Sequence, residues 1–231
     1  RAPFGGSRQS GVGREGGDWS FFLYSAAMFG LMILVPLFAG IVRGESALDA
    51  GWLLAPMGVG AMATMSVSGR LGDRFGGRWL AVGGILCVLA GTVALTTLSP
   101  GTGRATIMAA MLVVGLGHGM IAPPLMAMAY QGLPREAVPA ATTGANILVR
   151  IGSSFGTAVT AVILQIGIRH EIPGASGSLD EAAGHRTAET PSLLANAFTD
   201  TFWWTAVFLV AALVPVLTIP RKPQQSPPTA A

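Results

Sequence analysis

Apolar residues in this chain do not alternate; they run. Six long runs, near 19–42, 47–69, 79–98, 105–129, 138–165 and 201–219, are separated by polar or Gly-rich stretches. Each approaches or exceeds the ~20 residues that a helix needs to cross a bilayer. Helix is the default, because an open strand would leave backbone groups unsatisfied in lipid. The pattern predicts an all-α membrane protein, a six-transmembrane-helix bundle over 19–219. Residues 1–18, rich in Gly and Arg, read as a flexible cytoplasmic linker. Residues 220–231, Pro-rich and polar, read as a disordered tail. The one long connection, 166–200, reads as a solvated loop of Gly, Ser, Ala and acids. An opening Arg1 in place of Met suits an excerpt of a longer polypeptide.

Composition strengthens the membrane reading. Hydrophobic residues make up 51% and charged residues 11%, with a mean hydropathy of +0.58. A soluble domain carries about 25% charged residues. The net charge of +3 comes mostly from scattered arginines rather than a basic face interleaved with aromatics, so no nucleic-acid partner is expected. The single cysteine, Cys87, lies in an apolar run and can form no internal disulfide.

Charge also orients the spans. Six crossings put both ends of the chain on one side. That side would hold Arg1, Arg8, Arg14, Arg70, Arg74, Arg78, Arg135, Arg221 and Lys222, against Arg43, Arg104, Arg169 and Arg186 on the other. The bias makes the first side cytoplasmic. Trp19, Trp52, Trp79, Trp203 and Trp204 fall near span ends, where an aromatic belt belongs.

Candidate chemistry lies in three places. The stretch from Gly69 to Arg78 reads as a tight basic turn, with glycines supplying the reversal and Asp73 able to pair with an arginine. In the fifth span, Thr143, Asn146, Arg150, Ser153, Ser154 and Thr157 share one helical face, which should line a cavity or meet other helices rather than lipid. Gly152 and Gly156 point the other way in a GxxxG spacing that admits a close neighbour. Arg150, about a dozen residues into the run, is expected near mid-bilayer, where an arginine costs about 2.5–3.5 kcal/mol on insertion scales. No Asp or Glu lies in the interior of any run. Its counter-charge is therefore a backbone carbonyl, a bound anion or a carboxylate from another segment. The fourth span carries Gly115, Gly117 and Gly119 around His118, then Pro123 and Pro124, which suits close packing and a bend. His118 is either a packed polar residue or part of the coupling machinery. Pro36 and Pro56 mark bends in the first two spans.

Other motifs fail on context. Gly174-Ala175-Ser176-Gly177 is similar to an intramembrane protease motif but sits in a hydrophilic stretch. Glu181 and His185, four apart, have Gly184 beside them and no apolar face. There is no GxxxxGK[ST] for ATP. No metal site, cofactor or enzymatic activity is expected.

Taken together, Gly69-x-Leu71-x-Asp73-Arg74-x-Gly76-x-Arg78 resembles the signature loop of the major facilitator superfamily between the second and third helices of a six-helix half. Gly115-x-Gly117-x-Gly119 with Pro123, Leu133-Pro134, and Asn146-x-x-x-Arg150-x-Gly152-x-x-x-Gly156-x-Ala158 are similar to the fourteen-helix drug:proton antiporters of EmrB/QacA type, C-terminal half. Gly77 departs from the signature, which often has a basic residue there. The resemblance covers about residues 19–220. It implies an exporter in the cell membrane that moves amphipathic small molecules against inward proton flow by alternating access between two halves. It also implies that Gly69, Asp73, Arg74, Gly76 and Arg78 brace a cytoplasmic gate, and that the proton-carrying acid and a partner for Arg150 belong to an N-terminal half. A rival from another class is a truncated membrane-embedded interaction module that moves nothing by itself.

Overall fold

The computed structural model describes residues 9–130, 135–171 and 190–218. The first helix, α1, runs Gln9–Leu37 and widens into a π-helical turn at Phe38–Val42, just past Pro36. Proline removes one helical donor, and a widened turn is one way the backbone ladder absorbs that loss. Helix α2, Ala47–Phe75, starts at Ser46, whose Oγ accepts the Asp49 amide at 3.2 Å. Helices α3 (Gly77–Leu95) and α4 (Arg104–Tyr130) follow. A 3₁₀ turn at Arg135–Ala137 leads into α5, Val138–Glu171, and α6 spans Thr190–Thr218. All six helices are long and apolar enough to cross a membrane.

Three expectations change. Helix α1 begins at Gln9, so residues 9–18 are helical where a flexible linker was expected. Once a turn is nucleated in the apolar run, adding residues to it costs little. The presumed loop 166–200 is mostly helix at both ends, leaving 172–189 outside the described residues. Its ends are helical because they pack. Gly167 abuts Ala197, and Ile168, Leu194, Ala197 and Phe198 are buried, with Phe198 edge-on to Phe38 at 5.7 Å between ring centroids. The basic turn, finally, is barely a turn. Residues 69–75 complete α2, and the reversal is made at Gly76 alone, with φ +85°. That is the left-handed region, which a side chain at this position would resist.

The helices form two three-helix clusters. Helices α2 and α3 pack on α4, while α5 and α6 pack on α1. Along one side of the seam α3 meets α6; elsewhere α1 touches α2 and barely reaches α4. Small residues let the backbones approach. A Cβ at Gly117 would come within 2.7 Å of the Val88 nitrogen, and one at Gly152 within 2.6 Å of the Phe22 carbonyl oxygen. Gly115 lies against the Met57 backbone, Gly119 against Ala61 and Thr64, and Gly156 against Ala26. The Thr64 hydroxyl donates across the α2–α4 contact to the Leu116 carbonyl at 2.9 Å. All five tryptophans are exposed on the bundle surface. Pro56 and Pro123 lie within α2 and α4.

Candidate functional site

Helix α5 divides its circumference into three sectors. Ala145, Gly152, Gly156 and Thr160 are buried, with the two glycines and Thr160 facing α1. Ile147, Ile151, Phe155 and Val162 are exposed large apolar residues, of which Phe155 meets Phe22 at 5.4 Å. Between them runs the polar sector: Thr143, Asn146, Arg150 and Ser154 exposed, Ser153 and Thr157 half-buried. The six described helices therefore do not enclose this stripe; it lies on their surface.

The contacts of α5 with α1 give the level of Arg150 along the bundle. Gly152 stands opposite Phe22 and Gly156 opposite Ala26, so the two helices run in parallel register. Arg150, two residues before Gly152, is then level with about Ser20, beside the exposed Trp19 that opens the first apolar span. No ion pair to it is recorded among the described residues. One correction concerns carboxylates. Because α6 starts at Thr190, Asp200 lies on that helix, exposed and one turn before Trp203 and Trp204. It falls within the Pro191–Leu217 candidate span, so one carboxylate lies on an apolar helix where none was expected.

Sequence reasoning missed the partner of His118. Its Nδ1 is 2.5 Å from the Tyr24 hydroxyl, and the two rings stack with centroids 5.9 Å apart and planes inclined by 19°. Tyr24 is buried at 5% exposure, and His118 is half-buried. The bond joins α1 to α4 where the helices otherwise scarcely touch. In sequence, a tyrosine between Leu23 and Ser25 looked like any aromatic of the core.

At the basic end, Arg70 and Arg74 are exposed, and Arg74 lies over the Phe75 ring at 5.7 Å. Arg78 stacks over Trp79 at 5.9 Å and donates to the carbonyl of Leu217, in the last turn of α6. A helix C-terminus leaves carbonyls free, and a cation there satisfies them both as donor and as charge. Gly69 and Gly76 are exposed; the side chain of Asp73 lies outside the described residues.

The opposite end is held by a charge cluster. Glu45 Oε1 accepts from Arg43 Nε at 2.8 Å and from Arg104 Nε at 3.2 Å. Arg104 also reaches Asp49 at 3.2 Å, and Arg43 donates to the Thr102 carbonyl at 2.5 Å. The α1–α2 and α3–α4 connections are thereby tied together.

Six bilayer-length helices, close-packed through glycines and carrying an unenclosed polar stripe, define a multi-pass membrane protein. Residues 19–157 match the Major Facilitator Superfamily, and the chain belongs to that family. It is 26% identical over 222 residues to the multidrug resistance protein B homolog of Mycobacterium tuberculosis, covering 86% of this chain and 41% of that protein. It is 27% identical over 143 residues to the multidrug transporter protein MdtP of Bacillus subtilis, covering 62% and 26%. Against the lincomycin resistance protein LmrB of Listeria monocytogenes the identity is 29% over 156 residues, covering 68% and 33%. The chain thus spans between a quarter and two-fifths of the length of these relatives.

Proposed function

We propose that this chain acts as the C-terminal half of a fourteen-helix, EmrB/QacA-type exporter in the plasma membrane, with its ends cytoplasmic. It moves amphipathic small molecules outward in exchange for protons by alternating access. The observation that carries this reading is the α5 stripe: hydroxyls, an amide and Arg150 aligned on a surface the six helices leave open. A polar membrane-helix face needs water or protein beside it, and an N-terminal half docked there would supply both a cavity wall and a counter-charge for Arg150. Coverage of less than half of relatives named for multidrug or lincomycin resistance supports the same division and the substrate class. Asn146, Ser153, Ser154, Thr157 and Thr143 then offer hydrogen bonds to varied ligands, and Asp73, Arg74 and Arg78 brace the cytoplasmic gate.

The test uses the full-length protein in everted vesicles, with ethidium accumulation driven by an imposed proton gradient. Arg150→Ala should insert normally yet lose transport. Wild-type rates in that variant would remove the stripe from the mechanism. The rival module is separated by reconstituting the 231-residue chain alone, which under the half-exporter reading moves no dye until the remaining helices are supplied. If they restore nothing, the module reading stands.

A further inference from the structure

The Tyr24–His118 bond lies in an unusual place, across the seam between the two three-helix clusters. One side of the seam is closed by α3 against α6. On the side where α1 faces α4 the packing is sparse, and this hydrogen bond joins the two helices there. Its direction can be deduced. Tyr24 is buried, and no other partner is recorded for its hydroxyl among the described residues. A buried hydroxyl needs an acceptor for its proton. Nδ1 of His118 therefore accepts, and Nε2 carries the ring proton.

That arrangement has one outcome on protonation. The only lone pair open to a proton is on Nδ1. When it is taken, Nδ1–H becomes the donor. The phenol proton must then turn away from the ring, in a buried position where no other acceptor is recorded among the described residues. A buried donor without an acceptor is costly, and the new imidazolium is better placed in water. Both effects part the helices.

We infer that Tyr24 and His118 form a proton-operated latch: closed when the imidazole is neutral, released when it is protonated, with the α3–α6 contact as the hinge. The other described titratable groups on the bordering helices are Asp49, Arg70 and Arg74 on α2, Arg78 and Cys87 on α3, Arg104 on α4, Arg150, Arg169, His170 and Glu171 on α5, and Asp200 on α6. None has a recorded ion pair or hydrogen bond to either ring. The latch thus responds to His118 itself, and through it to the side from which protons arrive. It deepens the export reading by placing a proton-sensitive group in this half.

The experiment measures seam width. In the full-length protein with Cys87→Ser, spin labels at Phe29→Cys on α1 and Leu112→Cys on α4, both exposed sites, report the separation of the clusters in nanodiscs. Between pH 8 and pH 5, the range in which histidine normally changes charge, the distance should lengthen by about 2 Å or more, the scale of helix shifts in switching proteins. Tyr24→Phe should give one broad, open distribution at both values, and His118→Gln a pH-independent one. An unchanged wild-type distance, or a shift that survives in either variant, overturns the latch. Should Tyr24→Phe fail to fold, His118→Gln carries the decision. A pH-driven shift in a protein that exports nothing would refute the export reading alone, whereas export with a pH-independent seam would refute the latch alone.

Discussion

Removing the Glu45 carboxylate should be the most damaging single change at the end opposite Arg74 and Arg78. Its side chain is only 8% exposed, and it holds Arg43, itself 15% exposed, at 2.8 Å. Truncating one member of a buried ion pair typically costs about 3–5 kcal/mol, because the other charge is left uncompensated. Two features reduce that figure here. Arg43 keeps its bond to the Thr102 carbonyl, and Arg104 is half-exposed with Asp49 still beside it. Glu45→Ala should therefore cost about 2–3 kcal/mol, less than a fully orphaned pair. A change of that size lowers Tm by about 4–12 °C in a chain of this length. Glu45→Gln, which keeps an acceptor and loses the charge, should fall between Ala and wild type. The five tryptophans supply the fluorescence signal for thermal unfolding in detergent. Arg104→Ala should have a far smaller effect, since water already screens that contact. Should it destabilise as much as Glu45→Ala, or Glu45→Ala prove neutral, the carboxylate is not what ties the two connections together.

Glycine positions give a sharp internal comparison. Gly156→Leu drives a side chain into the Ala26 backbone and should abolish a stable α1–α5 pair, read as loss of monodisperse protein, whereas Gly69→Ala, with open space around it, should be silent. Overpacking of even one methyl costs about 1–3 kcal/mol in a tight contact, so Gly117→Ala should already lower the melting temperature measurably. Arg78→Ala removes the donor to the last turn of α6 and should loosen the α3–α6 end. Hydrogen exchange at the backbone amides near Leu217 would rise, and Arg78→Lys should restore part of the protection.

Spans were legible because length and hydropathy alone decide them; edges were not. Ile168, Leu194 and Phe198 continue the helical spacing of their neighbours beyond the apolar runs, but acids and small residues dilute the signal until packing reveals it. The α5 stripe could be read because a helix has one period, so Gly152 and Arg150 had to take different sides. The register of α5 against α1 could not, since it depends on which α1 residue stands opposite. Tyr24 escaped for a related reason. A contact 94 residues distant in sequence leaves no local trace. Nor did ten residues of basic, Gly-rich chain disclose that one glycine, Gly76, makes the bend.

The interleaving of the two clusters has a consequence for biogenesis. Helices α2, α3 and α4 are consecutive and can settle on one another as they emerge, but α1 packs on α5 and α6. About a hundred residues separate it from α5, roughly 5–20 s of synthesis at ordinary ribosomal rates, and α6 follows later still. During that wait α1 lacks these two neighbours, and its Ser25, which lies against Gly152 of α5 in the finished fold, faces whatever holds it. The insertion machinery should therefore cross-link to α1 in nascent chains arrested after α4, and release it once α5 has entered.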